Sequence, residues 1–190
     1  VFWQPQVTRL PDEDWSTIME CERVLTAECR DCTRVYMQGQ GDHVGCCSNE
    51  IGILKMYDME TGYCAYFNTQ SQKGTCAAFS PKGEIFCGGF EDGSVRTYST
   101  EGGRLLQTMI GHNQRVNAIA FDPRGRTLCS ASTDGTIRIW RLTDGRCTAI
   151  LVGAAELAGA RGLLCCAYHP HRAGVVLAGG GAGFVAVWDA

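Results

Sequence analysis

Sliding the chain against itself by 42 positions superposes unlike residue types one after another. Phe79 falls on Phe121, Pro81 on Pro123, Gly83 on Gly125, Asp92 on Asp134, Gly93 on Gly135, Arg96 on Arg138 and Gly103 on Gly145. Tyr98 meets Trp140. A repeat at this period points to similar units placed side by side, and it limits what the remaining residues can be asked to do.

The paired segments are 75-TCAAFSPKGEIFCGGFEDGSVRTYSTEGG-103 and 117-NAIAFDPRGRTLCSASTDGTIRIWRLTDG-145. Each reads as three short strands separated by glycine-containing turns, with no room for a helix. In TIRIW, Ile137 and Ile139 face one way while Arg138 and Trp140 face the other, which is the alternation of a strand. The Asp-Gly pairs mark tight hairpins. A weaker copy, 164-LCCAYHPHRAGVVLAGGGAGFVAVWDA-190, puts Tyr168, Pro170, Gly183 and Trp188 in the places of Phe121, Pro123, Gly135 and Trp140. Upstream, 46-CCSNEIGILKMYDMETG-62 matches at an offset of 41, aligning Gly52 with Gly93, Tyr57 with Tyr98 and Gly62 with Gly103.

Composition narrows the class. With 190 residues, 45% hydrophobic and 19% charged, the chain has the balance of a globular protein and enough length to bury a substantial core. Its formal charge of -3 supplies no basic field to hold nucleic acid in bulk. Lysine is confined to Lys55, Lys73 and Lys82, so the cations are mostly arginines, which suit planar contacts with other proteins. The start, VFWQPQVTRLPDEDW, shows no secretory signal. The apolar tracts are too short or too glycine-rich for a membrane helix. Twelve cysteines without a glycosylation sequon point to a reducing, intracellular compartment, with the cytoplasm expected.

The repeat pattern resembles the WD40 family, in which each unit is a four-stranded blade of a β-propeller. The resemblance runs over about residues 33 to 190. It implies an all-β, WD40-type propeller that is partial, with four blades of a larger ring. The expected division is 1–32 as strands of a preceding blade or an extension, 33–70 as a degenerate first blade, 71–110, 111–153 as the best match, and 154–190 as an incomplete fourth. Propellers of this family close with about seven blades, so further blades, from this chain or another, are expected to complete the ring. The segment 17-TIMECERVLTAE-28 is expected to be the outer strand of an earlier blade.

The resemblance also supplies a structural tetrad: His112 after Gly111 in the loop entering the blade, Ser132, the turn residue Asp134, and Trp140. Asp134 accepts from His112, His112 meets the Ser132 hydroxyl, and Trp140 donates its indole N–H, so that buried polar groups satisfy one another. His112 and Asp134 are therefore read as a clasp and not as a catalytic dyad. The other units depart from this pattern. The second has Phe90 at the serine place and Tyr98 at the tryptophan place. The fourth has Gly180 and Ala182 where Ser and Asp would lie.

Other features invite chemistry and lose it on inspection. The 29-CRDC-32 pair, near Cys21, His43, Cys46 and Cys47, has zinc-like ligands but no second CxxC at finger spacing. Cys46, Cys87 and Cys129 fall at one repeat position, and Cys64 and Cys147 at another, which fits packing better than metal. The 179-GGGAG-183 tract lacks the Gly-Lys-Ser/Thr ending of a phosphate loop. The acidic 12-DED-14 run is a solvated surface, and His169 and His171 flank a proline in a surface loop. No catalytic residue, metal or cofactor is expected.

What the family implies is a rigid platform that grips other proteins. The residues expected to meet partners are Arg96 and Arg138, facing outward from the third strands, and Asn113, Gln114 and Arg115 in the 112-HNQR-115 loop. The function expected is a non-catalytic scaffold in a large intracellular assembly. The stretch GGFEDGSVRTY is similar to ciliary and centriolar members, which makes a ciliary, centriolar or cytoskeletal setting the expectation. The alternatives are a ribonucleoprotein or RNA-processing subunit, or a substrate receptor of a ubiquitin ligase. Neither 140-WRLT-143 nor 57-YDME-60 carries the W-D-x-R of that last class.

Overall fold

The computed structural model of the chain describes residues 7–9, 17–19, 32–37, 43–48, 54–58, 61, 64–67, 69, 72–152, 162–181 and 183–189. Every regular element among them is a β-strand. Two short strands, β1 (Val7–Arg9) and β2 (Thr17–Met19), pair with each other. Thr17–Met19 therefore joins a hairpin, while the rest of the 17–28 segment lies outside the described residues.

Four antiparallel meanders follow. Sheet I contains β3 (Cys32–Met37), β4 (His43–Ser48), β5 (Leu54–Asp58) and β6 (Cys64–Phe67). Sheet II contains β7 (Gly74–Phe79), β8 (Ile85–Phe90), β9 (Val95–Ser99) and β10 (Leu105–Met109). Sheet III contains β11 (Val116–Phe121), β12 (Thr127–Ser132), β13 (Ile137–Arg141) and β14 (Cys147–Leu151). Sheet IV contains β15 (Leu163–Tyr168), β16 (Val175–Gly180) and β17 (Val185–Asp189).

Turn chemistry sets these boundaries. In 80-SPKG-83 and 122-DPRG-125 the glycine N–H closes on the first residue's carbonyl at 2.8 and 2.9 Å, with proline at the second position of each turn. The Ser80 hydroxyl and the Asp122 carboxylate then accept from the first amide of the next strand, Ile85 at 3.1 Å and Thr127 at 2.9 Å.

The sheets stack face to face, and strand alternation sorts side chains between the neighbours. Leu54, Met56 and Phe67 of sheet I meet Ala77, Phe86, Phe90 and Tyr98 of sheet II. Cys76, Val95 and Met109 of sheet II meet Val116, Leu128 and Trp140 of sheet III. The opposite side of sheet III, with Cys129, Ala131, Ile137 and Ile139, meets Leu163, Val176 and Ala178 of sheet IV. Ile137 and Trp140 are 0% and 1% exposed, so both faces of β13 are interior. Burying each such large apolar side chain contributes about 1.5–3 kcal/mol.

A polar tie recurs between neighbouring sheets. The Thr75 hydroxyl of β7 donates to the Val116 carbonyl of β11. One repeat on, the Asn117 amide of β11 donates to the Leu163 carbonyl of β15 at 2.7 Å. Both side chains sit at the second residue of a first strand, so sheet II is tethered to sheet III, and sheet III to sheet IV, by an otherwise buried polar group.

Candidate functional site

The third sheet holds a closed chain of polar side chains. The 110–115 loop delivers His112, β12 delivers Ser130, the β12–β13 hairpin delivers Asp134, and β13 delivers Trp140. The His112 Nδ1–H donates to Asp134 Oδ2 at 2.9 Å, and Nε2 accepts from the Ser130 hydroxyl at 2.7 Å. Ser130 Oγ in turn accepts from the Trp140 indole at 2.7 Å. Assigning the ring proton to Nδ1 gives every donor an acceptor, and the network fixes that tautomer.

The serine of this chain is Ser130, which corrects the expectation of Ser132. Both residues lie on one face of β12, two apart, and strand alternation does not separate them. Ser132 sits at the hairpin itself. Its hydroxyl donates to the Gln114 carbonyl at 3.0 Å and accepts the Asp134 amide at 3.1 Å. Ser130 lies one pleat deeper, opposite Arg138 in the register and beside the tryptophan.

Gly111 is required by close approach. A Cβ there would lie 2.5 Å from Arg138 Nη1 and 3.0 Å from Trp140 Cη2, so a larger residue before His112 would have to displace the Arg138 guanidinium and press on the Trp140 ring. The hairpin carboxylate is equally enclosed. Burial works to raise the Asp134 pKa, but hydrogen bonds from His112, the Thr136 hydroxyl and the Thr136 amide outweigh it and hold the carboxyl well below its usual range. Asp134 Oδ2 also accepts the Asn113 amide at 3.1 Å, which pins the loop backbone to the hairpin.

Asp134, His112 and Ser130 reproduce the order of an acyl-transfer triad, so accessibility decides what they do. Ser130 is 0% exposed and its oxygen already receives the Trp140 N–H. A substrate carbonyl has no path to it. The arrangement fastens the loop, the hairpin and two strands together.

Both third-strand arginines correct the outward expectation. Arg96 is 4% exposed. Its guanidinium donates to the Thr69 carbonyl, lies 3.5 Å from Asp92 and stacks 4.6 Å from the centre of the Phe90 ring. Arg138 is half-buried beside Gly111 and Trp140. The reason is register: these arginines share a face with Tyr98 and Trp140, and that face packs on the preceding sheet. In the loop, Asn113 and Gln114 are exposed while Arg115 is half-buried, its carbonyl accepting the Thr133 amide.

The other sheets replace the polar chain in different ways. Counting back one repeat from Ser130, the equivalent in sheet II is Gly88, which corrects Phe90. A Cβ on Gly88 would collide with Leu54 Cδ1, so the missing serine is exchanged for a leucine of sheet I. In sheet IV the Trp188 indole donates to the Val152 carbonyl at 3.2 Å, and Ala178 stands at the serine place.

Cys76, Cys87 and Cys129 are buried between sheets. Burial, with Cys76 alongside, pushes the Cys87 thiol up. The hydrogen bond with Cys129, then burial, do the same for Cys166. Such thiols are packing groups. Cys21 and Cys29, and the side chains of Cys32, His43, Cys46 and Cys47, lie outside the described residues.

Residues 103–141 match the family described as WD domain, G-beta repeat. The matched stretch spans β10 to β13 and so contains the loop and all four members of the polar chain. No curated protein matches the chain.

Proposed function

We propose that this WD40-repeat chain is a non-catalytic scaffold that holds other proteins in an intracellular, cytoskeletal assembly. WD40 repeats generally act as interaction platforms, and the match over residues 103–141 supports that reading for this chain. The observation that carries the reading is the polar chain around His112. It spends its acid, its imidazole and its serine on one another, and it fixes the backbone of the loop that exposes Asn113 and Gln114. A pinned loop loses little conformational entropy when a partner docks on it.

Two further features support the reading. Val185 and Val187 are 73% and 63% exposed on the face of sheet IV turned away from sheet III, whereas their repeat counterparts Ile137 and Ile139 are 0% and 8% exposed. Another sheet, from this chain or another, fits there. Cysteines serving as packing groups support a reducing compartment.

The test is cross-linking mass spectrometry on the protein isolated from its own cells. A reproducible set of neighbouring proteins is expected. Absence of stable neighbours, together with turnover of a substrate, would overturn the proposal.

A further inference from the structure

Between sheets III and IV lies a cleft of about 580 Å³, a size that holds a few side chains. Its walls are the two equivalent turns that join first and second strands: the β11–β12 turn with Pro123, Arg124 and Arg126, and the β15–β16 turn with Pro170 and His171. Its floor is apolar, formed by Ile139, Ala149 and the Tyr168 ring. The Tyr168 and Thr127 hydroxyls, 3.2 Å apart, tie the walls at the base.

The charge of this cleft is opposite to that of the chain. Arg124, Arg126 and the neighbouring Arg172 form no ion pair among the described residues, whereas Arg96 and Arg141 are each matched to an aspartate. Asp122 is the acidic group in the wall, and it is turned inward. Its oxygens accept the amides of Arg124, Arg126 and Thr127 at 3.3, 2.6 and 2.9 Å. Across the cleft, His169 Nδ1 accepts the amides of His171 and Arg172 at 3.1 and 3.0 Å, which leaves its Nε2–H as a donor. Cationic lining is not general to such clefts. A second one, lined by Met56, Asp58, Tyr66 and Thr100 among others, has an aspartate and no arginine.

We infer that this cleft docks an acidic peptide segment of a partner protein, with carboxylates on Arg124 and Arg126 and an adjacent aliphatic side chain on the apolar floor. The inference rests on the scaffold reading and names one of its contact sites. Phosphate fits less well, because a phosphate nest needs free backbone amides. Here the amides of Arg124, Arg126 and Thr127 are already taken by Asp122, and those of His171 and Arg172 by His169. What remains are planar guanidinium groups, which pair with carboxylates in a fork, and a floor that rewards an apolar neighbour.

The test is selection of random linear peptides, displayed on phage, against the whole chain, followed by titration of each recovered peptide by fluorescence polarisation. Recovered peptides should be enriched in Asp and Glu beside an aliphatic residue. Their affinity should fall at least about tenfold on Arg124→Ala/Arg126→Ala. Ala173→Trp, which fills the cleft and keeps its charge, should give a similar loss. Arg104→Ala/Arg146→Ala, two exposed arginines elsewhere, should bind as the parent does. Melting temperatures of all variants should stay together. Peptides without acidic enrichment, or acidic peptides indifferent to both cleft variants, overturn the inference. So does full displacement by inorganic phosphate, which assigns the arginines to a free anion. Cross-linked neighbours that persist when the selection fails leave the scaffold standing and remove the cleft; loss of both removes both.

Discussion

Ser130 Oγ stands between an imidazole nitrogen that accepts and an indole that donates, so Ser130→Ala strands two buried groups at once. The expected cost is about 1–3 kcal/mol in urea unfolding. Ser132→Ala releases the Gln114 carbonyl and the Asp134 amide, both at the loop and hairpin that carry the exposed Gln114, and should cost less, about 0.5–1.5 kcal/mol. Equal losses would contradict this ranking. Asp134 adds a pH dependence with a definite sign. Its folded pKa lies below an unfolded value near about 3.9, so its stabilisation is complete above about pH 4 and is lost as pH falls toward and through the lower folded value. Asp134→Asn should flatten stability against pH in that acid window and leave its slope near neutrality unchanged. At this scale the sequence carried the identities of His112, Asp134 and Trp140 but not the right serine. Two serines one pleat apart share a face, and only the distance to a tryptophan on the next strand separates them.

Within a sheet, the repeat was legible because turns need particular residues: proline and glycine at 81 and 83, again at 123 and 125, and Asp-Gly at 92–93 and 134–135. Less legible was the direction of each face. When a sheet is covered on both sides, alternation no longer separates solvent from core, and a charged residue such as Arg96 is misread as outward. Its burial makes a prediction. Arg96→Ala should lower stability by about 1–3 kcal/mol, since the Thr69 carbonyl loses its donor and Asp92 its cation, while the set of cross-linked neighbours stays the same. Gly88 marks the converse case. Gly88→Val should cost about 1–3 kcal/mol by driving Leu54 from its site, and a neutral result in thermal unfolding would refute the close approach between sheets I and II.

Across the whole molecule, the sheets are linked in series: each apolar layer joins one pair of neighbours, and the Thr75 and Asn117 ties repeat the same step. The cleft between sheets III and IV was invisible in the sequence because its walls come from turns 47 residues apart, Pro123 and Pro170, each ordinary on its own. On the proposed function, buried polar groups around His112 hold a loop in place for partners. The measurement that meets it most directly is photo-cross-linking in cells from benzoylphenylalanine placed at Gln114, in the parent chain and with Ser130→Ala. Discrete protein adducts in the parent that fade when the hub is broken are the predicted result. Identical adducts in both backgrounds, or none in either, would contradict the claim.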